Sequence, residues 1–562
     1  MERHLIEFAT PPDDDAIEWP GDPIGRSNTI TRTKSRTRFH DKTIDAKPGR
    51  REELVNAAIE HIVRNAGKQP IFLSDAVIHG VRVRAITNSD HLRQFWLDNW
   101  YSPEEWVEAT GLTAPEQPRV IVYALGGLAT QREAAYYSRA TNTIVFFNTS
   151  YYGQLKSWVL GAVGRILADE YGIHSIHGAC VEKDGAGVLY IAPTGTGKST
   201  SSYGLIDRPR TRFHSDDWVY IRYAVSSKSG QAICPMLVTT RAGDVVRGYR
   251  CHRWLENPPD EEFSITGLGL DNAEVSLSSA EVDWERPLEA YAYTSEKVFY
   301  LRSNLVENFP EMIGALLDSD LENVPEVTPE FLADHQTTVR SVVAAIRASA
   351  SPAVQEAAAS RDDAELGRLV ARLFAFDNAR AMLDPVRTLP RDRVYWNPME
   401  PLRIASVFLL KRNPADQVVL ETLNRERFME RLLLGDTPDG KREIAYNAYR
   451  AVDDEAERAV VTALETEAKS SGRPMYQLLC ERLFADSTPE SLREEFELFR
   501  AMHRSAACYD INTILQRDPA VRSRQEAVGR TIELIETAVE AGGRQLRYTL
   551  ENYADAIRVA AG

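Results

Sequence analysis

Residues Ile191–Leu205 read IAPTGTGKSTSSYGL, and the apolar run GVLYI (187–191) leads into them. A short apolar run that ends in a Gly-rich turn predicts a buried strand, and STSSYGL predicts the helix that follows. In the turn, Gly195 and Gly197 let backbone N–H groups point at an anion. Lys198 adds a point charge for the outer phosphates, and Ser199 offers a hydroxyl to a bound Mg²⁺. Thr194, Thr196 and Thr200 complete the predicted nucleotide-binding loop. Ala192 stands where the pattern G-x-x-x-x-G-K-[ST] has its first Gly, a position Ala can fill at negative φ. Strand, loop and helix in this order predict an α/β domain with polyphosphate at a helix N-terminus.

The rest of the chain sets bounds on this reading. With 562 residues and 43% apolar content, it predicts a globular protein of two or more domains. The net charge of −16 argues against a nucleic-acid partner with a broad phosphate footprint. The basic cluster TRTKSRTRF (31–39) is a local exception, a pocket lining or a solvated loop. The opening MERHLIEFATPPDDDAIEWP lacks the basic-then-apolar order of a secretory signal. No apolar run reaches membrane-spanning length, since Arg165 and acids break WVLGAVGRILADEYG. The five cysteines (Cys180, Cys234, Cys251, Cys480 and Cys508) form no C-x-x-C pair. A reducing, cytoplasmic setting without a membrane partner is the expectation.

Along the chain, residues 1 to 50 are polar and predicted irregular, and EELVNAAIEHIVRNAG predicts an amphipathic helix. PIFLSDAVI, VRVRAIT, RVIVYAL and TIVFFN predict strands, and KSWVLGAVGRILADEYG predicts a helix. Asp184-Gly185 joins two apolar runs as a hairpin turn does. Residues 225–375 contain an Ala-rich helical part, and the chain beyond alternates a strand with amphipathic helices. VYALGGLAT carries no dinucleotide fingerprint, since G-x-G-x-x-G is absent.

Two features near the loop bear on metal chemistry. Asp216-Asp217, in SDD (215–217), precedes the apolar run WVYI; an acid there can hold the ion that bridges nucleotide phosphates, or the pair can be a surface turn. His177, just before the hairpin, is a candidate ligand or a hydrogen-bonded structural residue, with His174 as a competitor.

The order of these blocks resembles the ATP-using branch of the phosphoenolpyruvate carboxykinase family. That family runs Tyr-Ala/Gly-Gly-Glu-x-Lys-Lys, a His-containing segment, Gly-x-Ser-Gly-Thr-Gly-Lys-Thr and Gly-Asp-Asp. Here the blocks read TSYYGQLKS (149–157), IHGAC (176–180), APTGTGKST (192–200) and HSDD (214–217). GRS (25–27) resembles the family's Gly-Arg-Ser-Pro-Lys, DNAR (377–380) its Glu-Asn-Thr-Arg, and LSDAVIHGVRVRAITNSDHLRQFWLDNWY (73–101) its Asp-Ala-Phe…Arg-Val-Ile-Thr segment.

The resemblance implies a two-domain carboxykinase-like α/β fold. Residues 1–172 would form a mixed α/β substrate-side domain, and 173–224 with 376–562 the P-loop domain with a helix-rich C-terminal part. Residues 225–375 would be an inserted, partly helical segment. It implies conversion of oxaloacetate and ATP to phosphoenolpyruvate, ADP and CO₂, with Mg²⁺ and Mn²⁺ as candidate ions. Lys198 and Ser199 would hold phosphates and Mg²⁺; Asp217, with Asp216 beside it, would bind metal; His177 would ligate a second ion. Arg26 and Tyr151 would contact the carboxylate substrate, and Lys156 and Arg380 would stabilise charge moving to the γ-phosphate.

There are departures from the pattern. Ser157 replaces a metal-ligating Lys, Gln154 replaces a Glu, and KRNPADQVVL (411–420) stands where the family has Asp-Ala-Phe-Gly-Val-Leu-Pro-Pro. HGACVEKDGAGVLYIAPTGTGKST with SDDWVYI also resembles the HPr kinase/phosphorylase core, which implies a protein-serine or other acceptor. A nucleotide-binding scaffold without chemistry is a third expectation.

Overall fold

The computed structural model describes residues 44–45, 47–148, 152–192, 197–206, 208–247, 249–271, 273–297, 299–302, 327–349, 352–374, 380–383, 389–434, 454–482 and 490–560, with the strands Ala16–Glu18, Thr29–Thr31 and Phe39–Asp41. These residues form a mixed α/β protein with sheets of four, fourteen and six strands and fifteen α-helices. None of the described helices is long and apolar enough to cross a membrane. The chain divides into two compact units, Met1–Val163 with Ser295–Pro398, and Gly164–Thr294 with Met399–Gly562.

In the first unit the six-stranded sheet runs Phe39–Asp41, Ala134–Ser138, Thr143–Phe147, Val120–Leu125, Val81–Thr87 and Phe72–Ile78. Val81–Thr87, VRVRAIT, buries every second residue, as a strand with one covered face must. Leu54, Val55 and Ala58 of the helix Arg50–Arg64 share a core with Leu125, Tyr136, Val145 and Phe147. A second, antiparallel sheet joins Ala16–Glu18, Thr29–Thr31, Arg380–Leu383 and Phe299–Arg302.

The fourteen-stranded sheet belongs to the second unit. Three of its strands run parallel side by side: Ala186–Ile191, Leu402–Lys411 and Ala507–Asn512. They are almost wholly buried, which is why they read as continuous apolar runs rather than alternating ones. Register places Tyr190, Phe408 and Tyr509 in one row, their rings stacked at 5.8 and 5.1 Å. Each such contact adds roughly 1 kcal/mol beyond area burial. The hairpin expected at Asp184-Gly185 is present: Gly178–Lys183 pairs antiparallel with Ala186–Ile191, and φ is 54° and 82° at the two turn residues. That double positive φ is the type I′ turn that Asp-Gly favours.

Residues 225–375, expected as one inserted segment, divide at Thr294. Ala232–Thr240, Phe263–Gly269, Glu274–Ser278 and Leu288–Thr294 extend the large sheet. Pro329–Ala348, Pro352–Ala359 and Asp363–Phe374 are helices of the first unit.

A candidate nucleotide site at the ends of the parallel strands

The three parallel strands end at Ile191, Lys411 and Asn512, and ligands of open α/β sheets bind beyond such carboxyl ends. The loop leaves the first of them at Ala192. Gly197 closes it with φ of 100°, a left-handed conformation that a side chain would strain, and the helix Lys198–Ile206 starts directly after.

Strand register then explains which side chains meet. In the antiparallel pair of Gly178–Lys183 with Thr211–Ser215, Cys180 lies opposite Ser215. The chain before Cys180 and the chain after Ser215 therefore leave the sheet at the same end. Gly178 opposite Ile191 brings His177 beside the start of the loop. The result is a three-residue cluster: Lys198 Nζ and His177 Nε2 each lie 3.2 Å from Asp217 Oδ1. Their side chains are only 7%, 5% and 15% exposed, and Asp216 is buried. Neither acid is the solvated surface turn that Asp-Asp more often makes. His214, behind them, is fully buried, and burial lowers its pKa to about 3, so it stays neutral.

The donor set suits a divalent cation beside phosphates. Two ligands of an octahedral ion with bonds near 2.1 Å stand about 3 Å apart, close to the His177–Asp217 separation. The ammonium of Lys198 rests on Asp217, an arrangement that a phosphate oxygen could take over. Among the described residues no group of three or more His, Cys, Asp and Glu side chains is gathered as for a metal.

The remaining expected residues are placed as follows. Ser199 and Thr200 lie in the first turn of the loop helix. Thr194, Gly195, Thr196, Arg26 and Tyr151 lie outside the described residues. Arg380 opens a strand and pairs with Arg302 and with Thr31, on the strand that follows Arg26 in the chain. Lys156 is in the first unit, where its Nζ lies 2.9 Å from Glu296 Oε1, both side chains 5% exposed. Ser157 donates its hydroxyl to the Gly153 carbonyl at 2.7 Å, one turn back along the helix.

Sequence reasoning missed a second buried cluster at the same strand ends. Lys411 Nζ lies 2.7 Å from both Asp416 and Asp510, and Arg431 donates to Asp510 at 2.9 Å. Lys411, Arg431 and Asp510 are all nearly inaccessible. The available signal was a charge interrupting two apolar strands, Lys411 in VFLLK and Asp510 in CYDIN. Buried charges persist only when paired, so each predicted the other.

No known family model matches the chain, and no curated protein matches its sequence.

Proposed function

We propose that the protein is a metal-dependent, ATP-using phosphotransferase whose nucleotide site is the loop 192–200 with His177, Asp216 and Asp217. The observation that carries this reading is the convergence of Lys198 and His177 on Asp217 at the carboxyl ends of parallel strands. Lys198 would take the β- and γ-phosphates, while Ser199, Asp217 and His177 would hold Mg²⁺ or Mn²⁺. The ion's contribution is charge neutralisation on the transferring phosphoryl group. Positioning belongs to the protein: the N-terminus of the helix Lys198–Ile206 would orient the polyphosphate, and the buried strands hold the helix's start in place.

The resemblance makes oxaloacetate, in a carboxykinase-like fold and reaction, the first acceptor to try. Arg26, Tyr151, Lys156 and Arg380 would serve the carboxylate and the enolate charge. One observation favours a different acceptor, a protein serine or another small molecule. Ser157, where the family has a metal-ligating Lys, directs its hydroxyl at its own helix backbone.

Incubation with labelled ATP and Mg²⁺ or Mn²⁺, with and without oxaloacetate, tests both levels. Oxaloacetate-dependent ADP with a phosphorylated three-carbon acid supports the carboxykinase activity. Label on protein or another acceptor supports the kinase reading. Failure to bind or turn over ATP with either ion removes the proposal.

A further inference from the structure

The polyphosphate of a nucleoside triphosphate carries more charge than one ion and one lysine neutralise. The strand ends hold a further cation. Arg412 directly follows the strand Leu402–Lys411 and so stands at the carboxyl edge from which the loop departs. It is exposed, while Lys411 and Asn413 on either side are buried. Behind it, Lys411 lies between Asp416 and Asp510, and Arg431 on Asp510.

Thr513 links Arg412 to the loop. Thr513 Oγ1 accepts from Arg412 Nε at 3.4 Å and donates to the Lys411 carbonyl at 3.2 Å. Its methyl group stands next to Gly197, where an added Cβ would lie 3.5 Å from Thr513 Cγ2. The Thr513 side chain therefore stands between Arg412 Nε and the glycine that precedes Lys198. A planar fork in that position matches two phosphate oxygens, whereas a lone ammonium meets one.

We propose that Arg412, oriented by Thr513, is a second cationic contact for the polyphosphate, selecting nucleoside di- and triphosphates over monophosphates. The proposal rests on the nucleotide reading of the loop, and its test separates the two. Calorimetric titration with ATP, ADP and AMP in Mg²⁺ compares the wild-type chain with Arg412→Ala, Arg412→Lys and Lys198→Ala. Arg412→Ala should weaken ATP and ADP about tenfold or more, the scale of a charge-assisted hydrogen bond, and change AMP by less than about twofold. Arg412→Lys should recover part of the loss. Melting curves should coincide with wild type because the side chain is exposed, and Arg412→Gln serves in the same titration should Ala prove unstable.

ATP affinity unchanged in Arg412→Ala but reduced in Lys198→Ala would overturn the role of Arg412 and leave the loop reading intact. Equal losses for AMP and ATP would overturn it too, since the effect would not follow the phosphates. A wild-type chain that binds none of the three nucleotides ends both proposals.

Discussion

Asp217→Asn is the perturbation that separates a metal-holding acid from a structural one, and its two effects should have opposite signs. In this structure the carboxylate accepts from Lys198 and lies beside His177 Nε2, each at 3.2 Å, with about a seventh of its side chain exposed. Metal-free ATP must take Lys198 away from Asp217 and also approach a negative charge. A charged hydrogen bond in such a setting contributes about 1.5–3 kcal/mol. Removing the carboxylate should therefore tighten ATP binding in EDTA by roughly ten- to a hundredfold. With Mg²⁺ the same change removes an anionic ligand, and turnover should fall about a hundredfold or more. Asp217 is partly exposed, unlike a fully sealed acid, and Asn retains a hydrogen-bonding oxygen, so the stability change should stay at about 1 kcal/mol. Calorimetry in EDTA, ADP release at saturating Mg²⁺ and a denaturant midpoint measure the three quantities. Unchanged affinity in EDTA together with unchanged turnover would mean that Asp217 serves the fold alone, and the metal assignment would fall.

Three further outcomes are expected. Lys198→Ala should weaken ATP binding at least about tenfold and abolish turnover, and retained activity would take the loop out of the chemistry. Asp510→Asn leaves Arg431 with a neutral partner in a buried site, while Lys411 keeps only Asp416, so urea unfolding should show a loss of about 3–5 kcal/mol; a loss below about 1 kcal/mol would show that the cluster does not hold the strand ends. His214 and His252 are both buried with pKa values lowered to about 3, chiefly by desolvation, so the unfolded chain binds protons that the folded one refuses. Stability should thus fall as pH drops below about 6.5, by up to about 1.4 kcal/mol per pH unit for each histidine, levelling off near pH 3; His214→Gln should flatten that slope between pH 6 and 4, and an unaltered slope would refute the assignment.

How far the site was legible follows from the range of the interactions that build it. The loop, the hairpin at Asp184-Gly185 and the strands around them depend on residues next to one another in the chain. Gly at a positive φ, a period of two in VRVRAIT and an unbroken apolar run such as GVLYI are all local signals. The sheet between 225 and 294 was less legible because it was read together with the Ala-rich helices after Pro329 as one segment, 225–375, although FSITGLG does bury every second residue. The meeting of His177, Lys198 and Asp217 depends on a register, Cys180 opposite Ser215, that no neighbour in sequence dictates.

Arg412 and Thr513 illustrate the same limit. They lie about a hundred residues apart and become neighbours because Leu402–Lys411 and Ala507–Asn512 run parallel with Lys411 opposite Asn512. A parallel pairing delivers two strand ends to one edge, so polar residues just past those ends are brought together whatever their separation in the chain. Conversely, the charges just inside the ends, Lys411 and Asp510, are buried and satisfy each other together with Asp416 and Arg431. The inner pair fixes where the two strands stop relative to one another. The outer residues inherit that fixed position, and a rigid edge is what a phosphate site requires, since orientation lost there is lost from the rate. Asp510→Asn should therefore also loosen ATP binding, although Asp510 itself has no access to the ligand. Nucleotide affinity measured well below the variant's unfolding midpoint checks this, and wild-type affinity there would show that the loop holds its shape without the buried pair.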